Sequence, residues 1–419
     1  MEIGKYLTPY RCHKTSVDFK GETCYESITF SPSSAKAGDV LYVDFPKVKD
    51  CLIIPGTFAL TFDLKIELNP ATPGKEVKNY PVNNVAANIL SKICIKLGSE
   101  TIYDLDYSYL YNTYKDLWLS TSSRNNLVFE GIQDEELRKM RTDINTELEN
   151  VKLTNIQMKN TFGRRYRLPI NFEMVSNHMP LSGELLESKL TFELTVASAK
   201  YFLKYETSPT FEMKNICLEF ETIKYAPLYR SVENELIAGT PFLYDHIHHY
   251  KREEISKDAT LINLEITGLN RKSLKGILLI FEEEFEAGKR DSEHFVNPTI
   301  KDVKYTIDDL PNKYYSQGYS EKYQWREISK HFMNEDQKLN DDSFMNLINY
   351  YSAHKFALWT DLRATEDNSL HGSGKLHKDK ILMEITKNKH GSGKYTMHVF
   401  IVSDARIIIK NKKLLNCEK

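Results

Sequence analysis

The chain has 419 residues, of which 41% are hydrophobic and 27% are charged. This length exceeds that of one ordinary β domain and suits two sandwiches of about 200 residues each. The formal net charge of -2 excludes a strongly basic nucleic-acid-binding protein. No apolar run is long enough for a membrane span, and none at the N-terminus resembles a secretory signal.

Cysteine spacing argues against a zinc ribbon. The six cysteines are scattered, and none forms a Cys-x-x-Cys pair. We therefore expect unpaired thiols in a reducing compartment.

Two local clusters of basic residues do not change the conclusion about nucleic-acid binding that the net charge supports. One lies in the N-terminal segment, at Lys5, Arg11, Lys14 and Lys20. The other is a cluster at Arg164, Arg165 and Arg167. We interpret the first as a solvated tail and the second as a subunit interface or solvated loop, so no specific nucleic-acid contact is expected.

Alternation of apolar and polar residues predicts most of the chain as strands. Within residues 58–68, Leu60, Phe62 and Leu64 alternate with polar side chains, a period of two that a helix would not keep on one face. Further predicted strands cover residues 40–48, 93–97, 190–196, 216–223, 261–269, 276–285, 302–308, 381–386 and 397–409. Strands recurring between turn signals indicate β-sandwiches or barrels.

Helices are the minority. Residues 107–119 carry apolar side chains at helical spacing, and residues 325–332 and 343–351 are predicted as short helices. Residues 135–152 are highly charged and are predicted as an exposed helix or insertion. Pro227 interrupts the pattern, so we predict one domain over residues 1–226, with a helical insertion at about 106–160, and a second over 227–419.

The pentapeptide HGSGK occurs twice, at residues 371–375 and 390–394. A phosphate-binding loop needs GxxxxGK followed by Ser or Thr, so that backbone amides surround the phosphate and the hydroxyl reaches magnesium. Here Leu376 and Tyr395 replace that hydroxyl, and the first glycine is missing from both copies. We therefore predict two turns flanking the strand at residues 381–386.

Histidines following Asp245 suggest a metal site at first sight. In a strand, His246 and His248 would share one face and His249 would point away. Such a pair needs a third ligand from elsewhere in the chain, so we expect a polar strand end and neither metal nor cofactor.

No catalytic group can be assembled from the sequence. No histidine is spaced so as to identify a nucleophile among Cys24, Cys94 and Cys217. The sequence also contains no GxSxG nucleophile elbow. The acids at residues 282–284 would alternate between the faces of a strand, which favours a solvated edge or ion-pair patch over a glycosidase pair. We therefore expect a protein that is not an enzyme.

Several segments, in chain order, resemble hexon-like double jelly-roll major capsid proteins, especially those of Polinton (Maverick) elements and adintovirus-like viruses. The most distinctive is residues 296–318, where a strand is followed by Pro-Asn-Lys and then Tyr-Ser-Gln-Gly. The others are residues 83–120, 180–203, 215–225 and 398–406. Together they touch about half of the chain; residues 135–152 and the two HGSGK copies have no counterpart in the pattern.

The resemblance implies an all-β fold of two tandem eight-stranded jelly rolls with short helical insertions. It implies a structural protein of the virion, assembled inside the host cell in the cytoplasm or nucleus. Three copies would form a pseudo-hexagonal capsomer, and capsomers would tile an icosahedral shell. Expected partners are further copies, a single jelly-roll penton protein at the vertices, and minor capsid or cement proteins.

Trimer contacts of this kind favour aromatic residues. Tyrosines in one loop-like segment are therefore our candidate interface residues: Tyr314, Tyr315, Tyr319 and Tyr323. Two rival functions remain open. Tandem β-sandwiches also serve carbohydrate binding or adhesion, and a cupin-like enzyme would build a metal site around the His-Ile-His at residues 246–248.

Overall fold

The structure is a computed structural model that describes residues 21–67, 78–142, 164–176, 179–269, 271–307, 314–333, 344–363, 372, 376–377 and 380–419. Strands hold 46% of the described residues and helices 22%, so the predicted all-β class is confirmed. The basic tail residues Lys5, Arg11, Lys14 and Lys20 lie outside the described residues. Within those residues, no helix has both the length and the apolar content needed to cross a membrane.

The N-terminal lobe consists of two facing antiparallel sheets and a short ladder. One sheet has the order β1-β12-β5-β9, with β2 and β4 also pairing with β12, and the other has the order β3-β10-β7-β8, while β6 pairs with β11. The strands are β1 Glu22–Thr29, β2 Ser34–Ala35, β3 Val40–Asp44, β4 Leu52–Ile53, β5 Ala59–Ile66, β6 Tyr80–Pro81, β7 Leu90–Leu97, β8 Glu100–Asp106, β9 Arg165–Pro169, β10 Leu190–Val196, β11 Leu203–Lys204 and β12 Phe211–Lys224.

The C-terminal lobe repeats this plan. Its sheets have the orders β13-β22-β16-β19, with β23 also pairing with β22, and β14-β21-β17-β18, while β15 pairs with β20. The strands are β13 Thr240–Ser256, β14 Leu261–Ile266, β15 Arg271–Lys272, β16 Leu274–Glu283, β17 Ile300–Ile307, β18 Tyr319–Ser320, β19 Ala357–Asp361, β20 Leu376–His377, β21 Ile381–Lys387, β22 Lys394–Lys410 and β23 Lys413–Glu418.

Helices connect and cover these sheets. The α-helices are α1 Val85–Asn88, α2 Ser108–Asp116, α3 Thr121–Asn125, α4 Glu135–Thr142, α5 Glu173–Ser176, α6 Ala199–Phe202, α7 Ala226–Ala238, α8 Tyr314–Gln317, α9 Glu321–Phe332 and α10 Leu347–Ser352. Two 3-10 helices span Leu127–Glu130 and Gly183–Leu185.

Side-chain alternation explains the sandwich core. In β10 each apolar residue is buried and each polar residue between them is half-buried, as a period of two requires. Phe192 of this strand meets Phe58, the residue before β5 of the opposite sheet, with ring centroids 5.7 Å apart. Central strand β16 instead buries every residue from Leu274 to Phe281, because both of its faces are covered.

The described part of the predicted insertion differs from the exposed helix that its charge suggested. Helix α4 ends with a fully buried Arg141, whose guanidinium donates hydrogen bonds to the carbonyls of Val128 and Arg165 and lies 4.0 Å from the ring centroid of Tyr166. A charged residue is stable there because backbone carbonyls and an aromatic face replace water. Residues 143–152 lie outside the described residues.

Near the predicted boundary, Pro227 lies in a helix that begins at Ala226. It lies in the first turn of α7, where a missing N–H costs nothing, and the helix buries Leu228, Val232 and Leu236 in the core of the N-terminal lobe. Every ladder among the named strands joins two strands of the same lobe. The division into residues 1–226 and 227–419 stays a prediction.

Candidate functional site

The second HGSGK copy is a turn. Gly391 and Gly393 have φ angles of 73° and 106°, a region that glycine adopts without strain, and Lys394 then begins β22. The Lys394 ammonium lies 2.8 Å from the carboxylate of Glu254. The turn prediction is thus confirmed for this copy, whereas the first copy lies outside the described residues apart from Gly372.

The predicted histidine geometry is also observed. His246 and His248 lie on one face of β13 with ring centroids 6.4 Å apart, while His249 Nε2 lies 3.1 Å from Nδ1 of His398. Among the described residues, no three His, Cys, Asp or Glu side chains are placed to hold a metal ion. The histidines instead serve packing, since His246 is buried against the ring of Tyr103.

The remaining candidate groups are held in contacts within the chain. Glu282 pairs with Arg290 at 3.4 Å and with His398 at 3.4 Å. Burial alone would raise the pKa of Glu282, but the hydrogen bond from His398 and the charge of Arg290 hold it below its usual value.

The thiols and the arginine cluster occupy ordinary structural positions. Cys94 is buried, Cys217 is half-buried and Cys24 is exposed, and all three are free. Arg165 lies in strand β9, where its guanidinium reaches Asp63 at 3.4 Å and Glu219 at 3.5 Å. This part of the cluster is therefore an ion-paired strand position and not a loop.

The most extensive built feature is the seam between the lobes. Helix α2 and the two residues after it belong to the N-terminal lobe in sequence but pack in the core of the C-terminal lobe. Trp118 stacks on Trp325 and Phe332 with ring centroids 5.6 Å apart in each case, and Tyr114 meets Phe295 edge-on at 5.2 Å. Aromatic pairs of this kind stabilise the structure by more than the burial of their apolar area alone would.

Apolar side chains also cross the seam in the opposite direction. The start of β13 and the end of β22 place Phe242, Tyr244 and Ile407 in the core of the N-terminal lobe. The Tyr244 hydroxyl donates a 2.6 Å hydrogen bond to the carbonyl of Ile102 in β8. Each lobe therefore completes the core of the other.

Charged residues close the seam at one loop, residues 284–299, which we call the clamp loop. Arg290, almost fully buried, donates to Oδ1 of Asn88 at 2.8 Å and to the carbonyl of Tyr201 at 2.5 Å. Glu293 accepts from Arg124 at 2.7 Å. Because these buried charges are hydrogen-bonded across the lobes, separating the lobes would remove hydrogen-bond partners from them.

The predicted interface tyrosines have different environments. Tyr319 is buried, and its hydroxyl lies 2.7 Å from that of Thr360, so its side chain is not available to a neighbouring subunit. The side chains of Tyr314 and Tyr315 lie outside the described residues. Tyr323 is 36% exposed, and its role in an interface remains a prediction.

Two further exposed apolar residues lie on the helix next to Tyr323. Leu347 and Ile348 in the first turn of α10 are 51% and 73% exposed. Helices α9 and α10 are held together by the Tyr351 hydroxyl, which donates to the carbonyl of Glu321. We call Tyr323, Leu347 and Ile348 the helix-pair patch; sequence reasoning predicted the helix but not the exposure of its apolar side chains.

Strand β1 offers a second open surface. It pairs with β12 alone among the described strands, and all eight of its side chains are exposed. A free strand edge presents unpaired backbone groups that another strand can satisfy.

The two lobes, each of two facing sheets, and the seam between them define a double jelly roll. No protein-family model and no curated protein matches the chain. The Faustovirus major capsid protein superposes with a TM-score of 0.60, at 8% identity over 93% of this chain and 90% of that chain. The PBCV-1 virus capsid gives 0.56, at 11% identity over 94% and 97%.

The mavirus major capsid protein gives a TM-score of 0.52, at 7% identity over 93% of this chain and 89% of that chain. These neighbours are double jelly-roll major capsid proteins of giant viruses and virophages. The shared feature is the fold, and it extends over both lobes.

The clamp loop predicts a measurable effect for Gly288. This residue has a φ of +85°, and an added Cβ would overlap the carbonyl oxygen and ring of Tyr205 across the seam. We expect Gly288→Ala to lower the free energy of unfolding by about 3 kcal/mol or more. Chemical denaturation measures this value.

The matched control is Gly268→Ala. Gly268 has a φ of +70° with open space around its Cβ position, so only the backbone strain of about 1 kcal/mol remains. Equal losses for the two variants would contradict the seam contact.

Burial of His246 predicts a pH dependence of stability. Burial, with the nearby charge of Arg271, lowers its pKa to about 3, below the value of about 6.5 expected in the unfolded chain. The neutral ring therefore stabilises the fold above pH 6.5, and this contribution is lost as the pH falls, by about 2 kcal/mol at pH 5.

His246→Phe should remove this loss. Because other groups titrate in the same range, the quantity to measure is the difference in unfolding free energy between pH 7 and pH 5, compared with the wild type. The same substitution at exposed His390 is the control. A His246→Phe profile that parallels the wild type would show that His246 is not held neutral.

Proposed function

We propose that this chain is a major capsid protein that builds an icosahedral shell and has no enzymatic role. The observation that carries the proposal is the double jelly roll, superposed over 93% of this chain and 90% of the Faustovirus major capsid protein. The seam supports it on physical grounds. A shell subunit must keep its shape under the load of many neighbours, and lobes that share cores move together.

The same architecture supports our proposal that the chain assembles as a homotrimer. Three copies of a two-lobed subunit bring six sandwiches into one ring, which is the shape of a pseudo-hexagonal tile. A trimer is a closed ring of heterologous contacts, so each subunit needs two different complementary surfaces. The helix-pair patch and the open edge of β1 are the described surfaces that we assign to such contacts.

The assignment to a particular group of capsid proteins rests on the sequence resemblance. The ordered segments that resemble capsid proteins of Polinton (Maverick) elements and adintovirus-like viruses favour that group. With it come a single jelly-roll penton protein at the vertices, minor capsid or cement proteins, and assembly in the cytoplasm or nucleus of the host cell.

Negative-stain microscopy of the purified chain tests the proposal directly. We expect pseudo-hexagonal trimers or closed shells. Persistent monomers that bind glycans would contradict a capsid role and favour the adhesion class.

Substitutions in the helix-pair patch test where the trimer contacts lie. We expect Tyr323→Ser and Ile348→Ser each to weaken trimer formation by roughly tenfold, because an exposed large apolar group loses its buried partner surface. Analytical ultracentrifugation measures the trimer fraction, and an unchanged melting temperature of the monomer checks the fold.

Leu261→Ser is the control for these substitutions. Leu261 is 50% exposed and lies on β14, away from α9 and α10 in sequence. If Leu261→Ser alone weakens the trimer, the contact lies on the sheet surface and the helix-pair patch is the wrong assignment.

A further inference from the structure

Three ionisable side chains form a hydrogen-bonded row across β13, β22 and β16. His249 Nε2 lies 3.1 Å from Nδ1 of His398, and His398 Nε2 lies 3.4 Å from the carboxylate of Glu282. We call these three residues the histidine row. Its inner end continues into the clamp loop, because Glu282 also pairs with Arg290 at 3.4 Å. His398, in the middle of the row, is only 1% exposed.

The strand register explains how the two imidazoles meet. His249 of β13 pairs with Phe400 of β22, so His398, two residues away, is its diagonal neighbour on the same face. The register shifts directly after His249, before Lys251 pairs with Val399. A bulge of this kind bends its strand and re-aims the neighbouring side chains.

A strained residue of the N-terminal lobe packs on both rings. Tyr107, which directly precedes α2, has a φ of 55°, a region that bulky residues rarely adopt. Its ring centroid lies 4.6 Å from that of His249 and 4.9 Å from that of His398. Such a conformation persists only where the surrounding contacts maintain it. The imidazole pair is therefore one of the contacts that fix the start of α2 in the seam.

The hydrogens of the histidine row have one arrangement when both rings are neutral. A carboxylate only accepts hydrogen bonds, so Nε2 of His398 carries a hydrogen and donates it to Glu282. Nδ1 of His398 is then an acceptor, and Nε2 of His249 donates to it. All three nitrogens of the row have partners in this state.

The row can hold one further proton but not two. With one proton added, the charged ring donates to the neutral one and the contact is kept. With two, Nε2 of His249 and Nδ1 of His398 both carry hydrogens, so two donors face each other at 3.1 Å. The two positive charges also repel. The rings must then separate, and Tyr107 loses the surface on which it packs.

The surroundings of His249 oppose its protonation in the closed seam. Burial, followed by the charges of His398, His248 and Arg252, lowers the pKa of His249 to about 3. In an opened seam, water would restore the ordinary value of about 6.5. The closed seam therefore binds fewer protons than the open one, so its stability is greatest above pH 6.5 and falls as the pH is lowered.

Other ionisable groups near the row keep their charge over this range. Tyr107 and His398 line a groove of about 640 Å³, through which protons reach the row, and Tyr109 adds a second neutral phenol. The other charged side chains of this groove, besides Glu282, are Lys200, Arg252, Glu254, Glu283, Glu284 and Lys394. Hydrogen bonds from lysines lower the pKa of Glu254 and Glu283, so these carboxylates stay ionised.

We propose that the histidine row is a proton-operated switch, which holds the start of α2 in the seam while the row is neutral and releases it when both rings are protonated. Acid then loosens the contact between the lobes before the sheets themselves unfold. The switch acts within one chain and does not rest on the proposed capsid role.

Hydrogen exchange of the full chain, followed by mass spectrometry and corrected for the intrinsic pH dependence of exchange, measures the opening of α2. One proton taken up only by the open form raises the opening equilibrium constant about tenfold between pH 7.5 and pH 5.5. We expect at least this rise for the amides of α2 and a smaller one for those of β10 and β21. No rise at α2, or an equal rise in all three elements, would overturn the proposal.

His249→Gln tests the row itself. The glutamine amide donates to Nδ1 of His398 but takes up no proton, so the rise at α2 should be about tenfold smaller than in the wild type. Protection of α2 at pH 7.5 should stay within about twofold, because the neutral row is preserved. The control is His390→Gln, at an exposed position outside the seam, which should keep the wild-type rise.

His398→Gln is a second route to the same test. Its amide oxygen accepts from His249 and its N–H donates to Glu282, so the neutral row is reproduced and two charged rings cannot meet. The rise at α2 should again be smaller, by roughly threefold or more. An unchanged rise in whichever of the two variants is protected like the wild type at pH 7.5 would overturn the proposal.

Discussion

The exchange of apolar side chains across the seam is the constraint on which the rest of the structure depends. Trp118 and Tyr114 complete the core of the C-terminal lobe, while Tyr244 and Ile407 complete that of the N-terminal lobe. Neither sandwich is a closed unit when its partner is removed. We therefore expect the two lobes to move together, unlike domains joined through small polar interfaces.

This rigidity has a thermodynamic consequence for assembly. Subunits that change shape on association must order groups that were free beforehand, and that cost is subtracted from the contact energy. The clamp loop already fixes Arg290 and Glu293 in buried pairs within the isolated chain. In the proposed trimer, modest exposed surfaces such as the helix-pair patch could then contribute their full contact energy.

The strands were predictable to the extent that burial alternates along them. Strand β10 matches its predicted bounds because one face is core and the other is half-solvated. The 17-residue length of β13 was missed, since its histidines and charged residues do not alternate with apolar ones. Helix α7 was missed too, because Pro227 was interpreted as a break when it lies in a first helical turn.

Side-chain environments were less predictable, because they depend on distant partners. The sequence placed His246 and His248 on one face, but the low pKa of His246 arises from burial against Tyr103, which is in the other lobe. Likewise, the residues around Tyr319 in the sequence do not predict its hydrogen bond to Thr360. Interface and core tyrosines have the same sequence signature, and only the packing separates them.

Strand β13 contributes side chains to both lobes. Tyr244 and His246 pack against Phe172 and Tyr103 of the N-terminal lobe, while Ile247 packs in the core of the C-terminal lobe. Because successive side chains of a strand point to opposite faces, one strand can enter two cores at once. Separating the lobes would therefore expose apolar side chains of the same strand on both sides.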